Sequence, residues 1–291
     1  MSAGKPRWET DGADWPHRGA SEFVNAGGID WHVQRYGAGP AVFFLHGAGA
    51  ASHSWAGLGD ALKDEFTILA VDLPGHGFTS TPGPGLMSLS GMARGAGALL
   101  KALRLSPEMI VGHSAGAAIM IEMMVGGLAA PRAALSINGA LAPFGGAAAF
   151  LFPAMAKMLA LNPFVPALFA QGAARRDRVV SLIEGTGSKV SEQMIDCYAM
   201  LLSRSGHVAG ALKMMANWNV EGLQRKIGLI AAPIVFAAGD RDRAVPPSLA
   251  EEAARLAPRG AFRGFPGLGH LAHEENPTAF AALIREIAAM Q

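Results

Sequence analysis

Met109-Ile110-Val111-Gly112-His113-Ser114-Ala115-Gly116, running on into Ala117-Ala118-Ile119-Met120-Ile121, is the stretch on which the reading of this chain turns. Met109 to Val111 predicts a short buried strand and the run after Ser114 predicts a helix, with Gly-x-Ser-x-Gly at their junction. A serine on such a turn sits in strained backbone angles. Its neighbours must also be small, so that the helix can fold back over the strand. Gly112 and Gly116 meet that demand, and the turn presents the Ser114 hydroxyl at a helix N-terminus above a sheet. The pattern reads as a nucleophile elbow; the competing reading is a glycine-rich helix start that only turns or holds an anion.

Composition narrows the classes. The 291 residues are 51% apolar and 16% charged, with a formal net charge of +1. Such a chain can bury a large core and carries no nucleic-acid footprint. One cysteine, Cys197, excludes an intrachain disulfide and suits a reducing, cytoplasmic setting. Met1 to Arg18 has charges and two tryptophans but no apolar signal core. Gly139 to Ala156 is uncharged and apolar, yet Pro143, Pro153 and Gly145-Gly146 argue against a regular spanning helix. It reads as part of a cap that is buried or covers a pocket, with peripheral membrane contact left open.

Outward from the elbow, strand and helix alternate. Residues 1–20 read as an extended arm anchored by Trp8 and Trp15, and Phe23 to Val33 as a hairpin around Gly27-Gly28. Ala41 to Leu45 and Phe66 to Val71 are apolar runs of the kind a doubly buried parallel strand requires. Ala133 to Ile137 predicts a sixth strand. From about Leu141 to about Gly228 no strand pattern appears and the sequence reads as helical; a strand then returns at Pro233 to Ala238. The expectation is an α/β chain with a mostly parallel, eight-stranded sheet flanked by helices. Residues 1–21 form the arm, 22–140 and 229–291 the core, and 141–228 a helical cap inserted after the sixth strand.

A serine hydroxyl needs a base, and the base needs a carboxylate to orient it. In this architecture the order is Ser, then Asp or Glu, then His. Gly239-Asp240-Arg241-Asp242 offers two acids; Asp242 is favoured because it lies further into the loop, with Asp240 as a loop or solvated charge. Asn138, at the end of the sixth strand, is a rival orienting position. Gly269-His270-Leu271-Ala272-His273 offers two bases, and His270 is favoured because it follows a glycine-rich loop. The oxyanion donors are expected from the backbone N–H of Ala115 and, in the loop His46-Gly47-Ala48-Gly49, of Ala48.

Together the elbow, the His46-Gly47 loop, Asp72-Leu73-Pro74-Gly75-His76-Gly77, the Asp242 loop and Gly269-His270 resemble the α/β-hydrolase fold across about residues 22–291. A narrower resemblance is carried by Trp8-Glu9-Thr10-Asp11-Gly12, Trp31-His32-Val33-Gln34, Asn138-Gly139-Ala140-Leu141, Leu161-Asn162-Pro163 and Gly206-His207-Val208-Ala209-Gly210. These are similar to the magnesium-chelatase accessory proteins of bacteriochlorophyll synthesis. The resemblance implies a role at or near magnesium insertion into protoporphyrin, with chelatase subunits as partners. It implies no settled reaction.

The cap sequence is rich in Met and Phe, an adaptable apolar lining suited to a flat ligand such as a tetrapyrrole or its ester. With His46, Gly47 and His113, the candidate pocket residues are Phe144, Met158, Met215 and Trp218; the competing reading makes such cap residues the cap's own core. His207 is a loop histidine that could meet a porphyrin metal or propionate, and Arg175, Arg176 and Arg178 could meet propionates. No His, Cys, Asp or Glu cluster has metal-ligand spacing, so no metal or other cofactor is expected.

Overall fold

Alternate side chains of Ala41–Leu45 enter two different cores. In the computed structural model, which describes residues 4–143, 162, 164–173 and 175–290, Val42 and Phe44 pack with Val111, Leu135 and Ala237 on one face of a sheet. Phe43 and Leu45 pack with Ile110, Ala134 and Phe236 on the other. A strand buried on both faces has no polar side to show, which explains the continuous apolar runs. Each large side chain so buried contributes about 1.5–3 kcal/mol.

The sheet has eight strands: β1 (Ser21–Ala26), β2 (Ile29–Gly37), β3 (Ala41–Leu45), β4 (Thr67–Val71), β5 (Met109–His113), β6 (Ala133–Ile137), β7 (Ile234–Gly239) and β8 (Gly260–Phe265). Their order is β1-β2-β4-β3-β5-β6-β7-β8. From β4 to β8 in that order all pairings are parallel, and β2 runs antiparallel to both β1 and β4. Gly27 and Gly28, with φ of 63° and 78°, supply the two left-handed positions of the β1–β2 turn.

Helices α1 (Trp8–Asp11), α2 (Ala56–Leu62), α3 (Leu89–Leu103) and α4 (Ala115–Val125) precede β6 or connect the strands before it. Between β6 and β7 the described residues form α5 (Phe164–Ala173), α6 (Arg176–Gly185), α7 (Glu192–Leu202), α8 (Ser205–Ala216) and α9 (Leu223–Ile227). After β7 come α10 (Ser248–Leu256), α11 (Ala272–Glu275) and α12 (Pro277–Ala289). Helices α3, α4, α9 and α10 cover one face of the sheet. Helices α2 and α12 cover the other. Among the described residues, no helix is long and apolar enough to cross a membrane.

Residues 4–20 are not extended as expected. Arg18 donates to the carbonyls of Trp8 (3.1 Å) and Gly12 (2.5 Å) and lies over the Trp8 ring, which closes the segment into a turn of helix. Trp15 is buried and donates its indole N–H to Ser52 Oγ at 3.1 Å. The segment also straps the core to the β6–β7 helices, through the Asp11–Arg204 ion pair and a bond from Gly206 N–H to Gly4 O.

His207 completes this clasp. It sits within α8, not in a loop, and has no solvent exposure. Its Nδ1 accepts from Gly77 N–H and its Nε2–H donates to Gly49 O, each at 3.0 Å. Both ring nitrogens are thereby engaged, so the ring holds loops together and offers nothing to a metal. Burial, reinforced by His76, pushes its pKa down to about 3. In the unfolded chain the ring takes a proton near pH 6.5. Between those values the unfolded state binds the extra proton, so stability is complete above about pH 6.5 and is lost as the pH falls. Urea unfolding at pH 7 and pH 5 should show the wild type weakened at pH 5. His207→Gln should shrink that loss by up to about 1.4 kcal/mol per pH unit. An unchanged loss in the variant would mean that the ring is already charged in the fold.

Candidate active site

Ser114 follows β5 with φ 50° and ψ −116°, angles that cost a non-glycine residue about 1–3 kcal/mol. Its N–H donates to Ile137 O at 3.0 Å, and its carbonyl accepts from the N–H groups of Ala117 and Ala140 at 3.1 Å each. A methyl group at Gly112 would run into the backbone of Ala117, and one at Gly116 into the carbonyl of Leu45. The two glycines let α4 close onto β3 and β5, and that closure holds the serine in its strained pose. The residue is half-buried.

The loops after β7 and β8 bring an acid and a base together. His270 Nδ1–H donates to Asp242 Oδ2 at 2.8 Å. Asp242 Oδ1 accepts from the N–H groups of Ala244 and Val245, both at 2.8 Å, and Oδ2 accepts a second bond from Asn138 Nδ2 at 2.7 Å. Burial alone would raise the carboxyl; the bond and charge of His270, the Val245 N–H and the Asn138 amide outweigh it and hold the pKa below the usual value. Asp242 is therefore ionised at neutral pH. Asp240 is exposed and accepts from Gly267 N–H at 2.7 Å, which braces the neighbouring loop. His273 is fully buried, bonded to Ser54 Oγ at 2.9 Å and packed on Trp55. No hydrogen bond joins Ser114 Oγ to His270 Nε2 among the described residues. The base–acid contact is made and the nucleophile–base contact is open, a looseness common before substrate binds.

On the other side of Ser114 lies the loop after β3. The N–H groups of Ala48 and Ala115 have no acceptor among the described residues. Gly47 has its Cα against the Ser114 and His113 side chains, so any Cβ there would press on both. His46 Nε2 accepts from Leu73 N–H at 2.8 Å, which leaves Nδ1–H to donate to Gly47 O at 2.7 Å. Burial, with His76 beside it, keeps that ring neutral. His113 Nε2–H donates to His270 O at 2.9 Å, and burial and His270 push its pKa down to about 3.

Several expected pocket residues fall elsewhere. His46 and His113 are buried beneath the site and brace it, without walling an open pocket. Trp218 packs against the sheet's own core cluster; Met215 is half-buried on α8. Phe144 and Met158 lie outside the described residues. Arg175 pairs with Asp177, and Arg176 with Glu192 and Asp196, on an exposed face. Sequence reasoning missed Thr186 and Ser188, in the turn between α6 and α7. Thr186 O accepts from the N–H groups of His270 and Arg243, and Ser188 Oγ accepts from Leu271 N–H at 2.8 Å. The Thr-Gly-Ser break in a helical stretch marks a turn, but nothing in it names the loop it grips. Among the described residues no group of three His, Cys, Asp or Glu side chains is placed to hold a metal ion.

The family model for the alpha/beta hydrolase family matches residues 42–283. The magnesium-chelatase 30 kDa subunit of Rhodobacter capsulatus is 36% identical over 274 residues, 94% of this chain and 95% of that one. Two solved structures share the fold. One is an alpha/beta hydrolase fold protein from Burkholderia ambifaria, with TM-score 0.77, 20% identity and coverage of 92% of this chain and 97% of that one. The other is a thermophilic esterase from Thermogutta terrifontis, with TM-score 0.74, 21% identity and coverage of 93% and 98%. This chain belongs to the alpha/beta hydrolase family and is related along nearly its whole length to the magnesium-chelatase 30 kDa subunit of Rhodobacter capsulatus.

Proposed function

We propose that this protein is a serine hydrolase acting on an ester-like bond, with a role in bacteriochlorophyll synthesis near the magnesium-chelatase step. The observation that carries the first half is the 2.8 Å bond from His270 Nδ1 to an ionised Asp242, presented beside a serine at a positive φ. In this reading Ser114 Oγ attacks the substrate carbonyl and passes its proton to His270 Nε2. Asp242 stabilises the imidazolium so formed. The tetrahedral oxygen takes hydrogen bonds from the unused N–H groups of Ala48 and Ala115, a stabilisation of about 3 kcal/mol per donor. His270 then protonates the leaving oxygen, and water, activated by the same imidazole, releases the acyl group from Ser114.

The second half rests on the 36% identity with a protein named as a magnesium-chelatase subunit. Residues 141–228 serve as the cap, and their Met and Phe content suits a tetrapyrrole or its ester as substrate. Chelatase subunits are the partners in this account, with the protein in the cytoplasm and the apolar cap available for peripheral membrane contact. The same identity, together with the open contact between Ser114 and His270, favours one alternative: an accessory protein that escorts the porphyrin and keeps the triad without using it.

Two experiments separate these readings and fix the roles. A fluorophosphonate probe should label the wild type and fail on Ser114→Ala at unchanged circular dichroism, and the variant gene should not restore pigment to a strain lacking the protein. Absence of labelling, with full rescue by Ser114→Ala, would select the escort. On a short activated ester, Asp242→Asn should lower kcat on the order of 10⁴-fold. Asp240→Asn should change it little; a reversed pattern would move the acid to Asp240.

A further inference from the structure

Asn138 is the first residue beyond β6, with φ 47°, and it is fully buried. Its backbone N–H extends the sheet by bonding to Ala237 O at 2.8 Å. Its side chain leaves the sheet and reaches both loops of the acid–base pair. Nδ2 donates to Asp242 Oδ2 at 2.7 Å and lies 3.4 Å from Gly269 O. Both neighbours are acceptors, so the amide can face them only with its nitrogen. Its Oδ1 is buried without a hydrogen-bond partner among the described residues. A buried acceptor left unpaired is unfavourable, and an apolar side chain of similar size would avoid it. What the amide gains in that position is its N–H on the carboxylate.

The geometry around Asp242 gives this donor a specific consequence. Oδ1 is pinned by two backbone N–H groups, and Oδ2 by Asn138. With three directions occupied, the plane of the carboxylate is fixed and one lone-pair direction remains, towards His270 Nδ1. Resting on the hydrolase reading above, we propose that Asn138 is a positioning residue: it orients the Asp242 carboxylate, and through it aims His270 at Ser114. The amide does not replace the acid at the end of the sixth strand; it works on it.

Two variants test this, both compatible with a left-handed backbone. Asn138→Gly removes the donor. Asn138→Asp keeps the shape, and the new carboxyl can donate to Asp242 only while the pair shares a proton; once that proton leaves, two like charges face each other. The other titratable groups nearby are His270, His113 with its ring 4.8 Å from His270, Glu275 bonded to Gly269 N–H, and Asp240 bonded to Gly267 N–H. Reading each variant as a ratio to wild type at the same pH removes their common contribution.

On a short activated ester, Asn138→Gly should lower kcat about 10- to 100-fold, the range expected for one hydrogen bond to a charged group, with a ratio that does not vary with pH. For Asn138→Asp the ratio should fall at least about tenfold further between pH 6 and pH 8. The second readout is independent of turnover: the downfield proton NMR signal of His270 Nδ1–H in Ser114→Ala protein. That signal should be retained when Asn138 is intact and lost with Asn138→Gly. With Asn138→Asp it should be present at pH 6 and lost at pH 8. Equal, pH-independent losses in both variants would reduce Asn138 to a packing role, and an unaltered signal in both would overturn the proposal. If wild-type protein hydrolyses nothing, the hydrolase reading fails while the NMR result still decides the role of Asn138.

Discussion

Ser114 can hold its positive φ only because α4 closes onto β3 and β5 with no side chain between them. That approach depends on Gly112 and Gly116, each placed where a methyl group would meet backbone. Much else follows from it. The closure sets the serine hydroxyl above the carboxyl ends of the strands and leaves the Ala115 N–H without an acceptor among the described residues, at the start of a helix buried on nearly every side. It also places the loop after β3 against the serine, where Gly47 alone leaves enough room.

The remaining parts arrive because five adjacent parallel strands end at the same edge. The loops after β3, β5, β6, β7 and β8 supply Ala48, Ser114, Asn138, Asp242 and His270 respectively. Residues more than a hundred positions apart in sequence then meet at hydrogen-bond distance, as Asn138 and Asp242 do. The site is braced from behind as well. His113 reaches from β5 to the carbonyl of His270, and the turn at Thr186 and Ser188 holds the same loop from the helical side. Burial keeps His113, His46 and His207 neutral, so each ring has one donor and one acceptor. Both nitrogens of His46 and His207, and the Nε2–H of His113, fix loops, while His113 Nδ1 is buried without a hydrogen-bond partner among the described residues; acidification is costly for all three.

The strands were legible in the sequence because two-sided burial demands unbroken apolar runs, as in Ala41–Leu45 and Met109–Val111. The elbow was legible because its steric demand falls on glycine at fixed spacing. Asp242 is favoured by its place further into the loop and His270 by the glycine-rich loop before it, and the two side chains do bond one another. What the sequence concealed depends on contacts between distant loops. His207 reads as a loop residue until the helix around it and its two backbone partners are seen. Asn138 reads as an alternative to the acid, whereas its amide bonds to that acid. The arm reads as extended because no periodicity announces that Arg18 will fold it back onto Trp8 and Gly12. Trp218 carries the composition of a pocket wall but belongs to the core of the sheet.

The proposed hydrolysis requires Ser114 to form a covalent acyl intermediate. Rapid-quench mass spectrometry of the intact chain after mixing with a short activated ester tests it directly, since acyl transfer through serine must pass through that species. The expected result is a burst of released alcohol equal to the protein present, and one acyl group per chain, located on the peptide that contains Ser114. Turnover without an adduct, or an acyl group carried by a different residue, would contradict it.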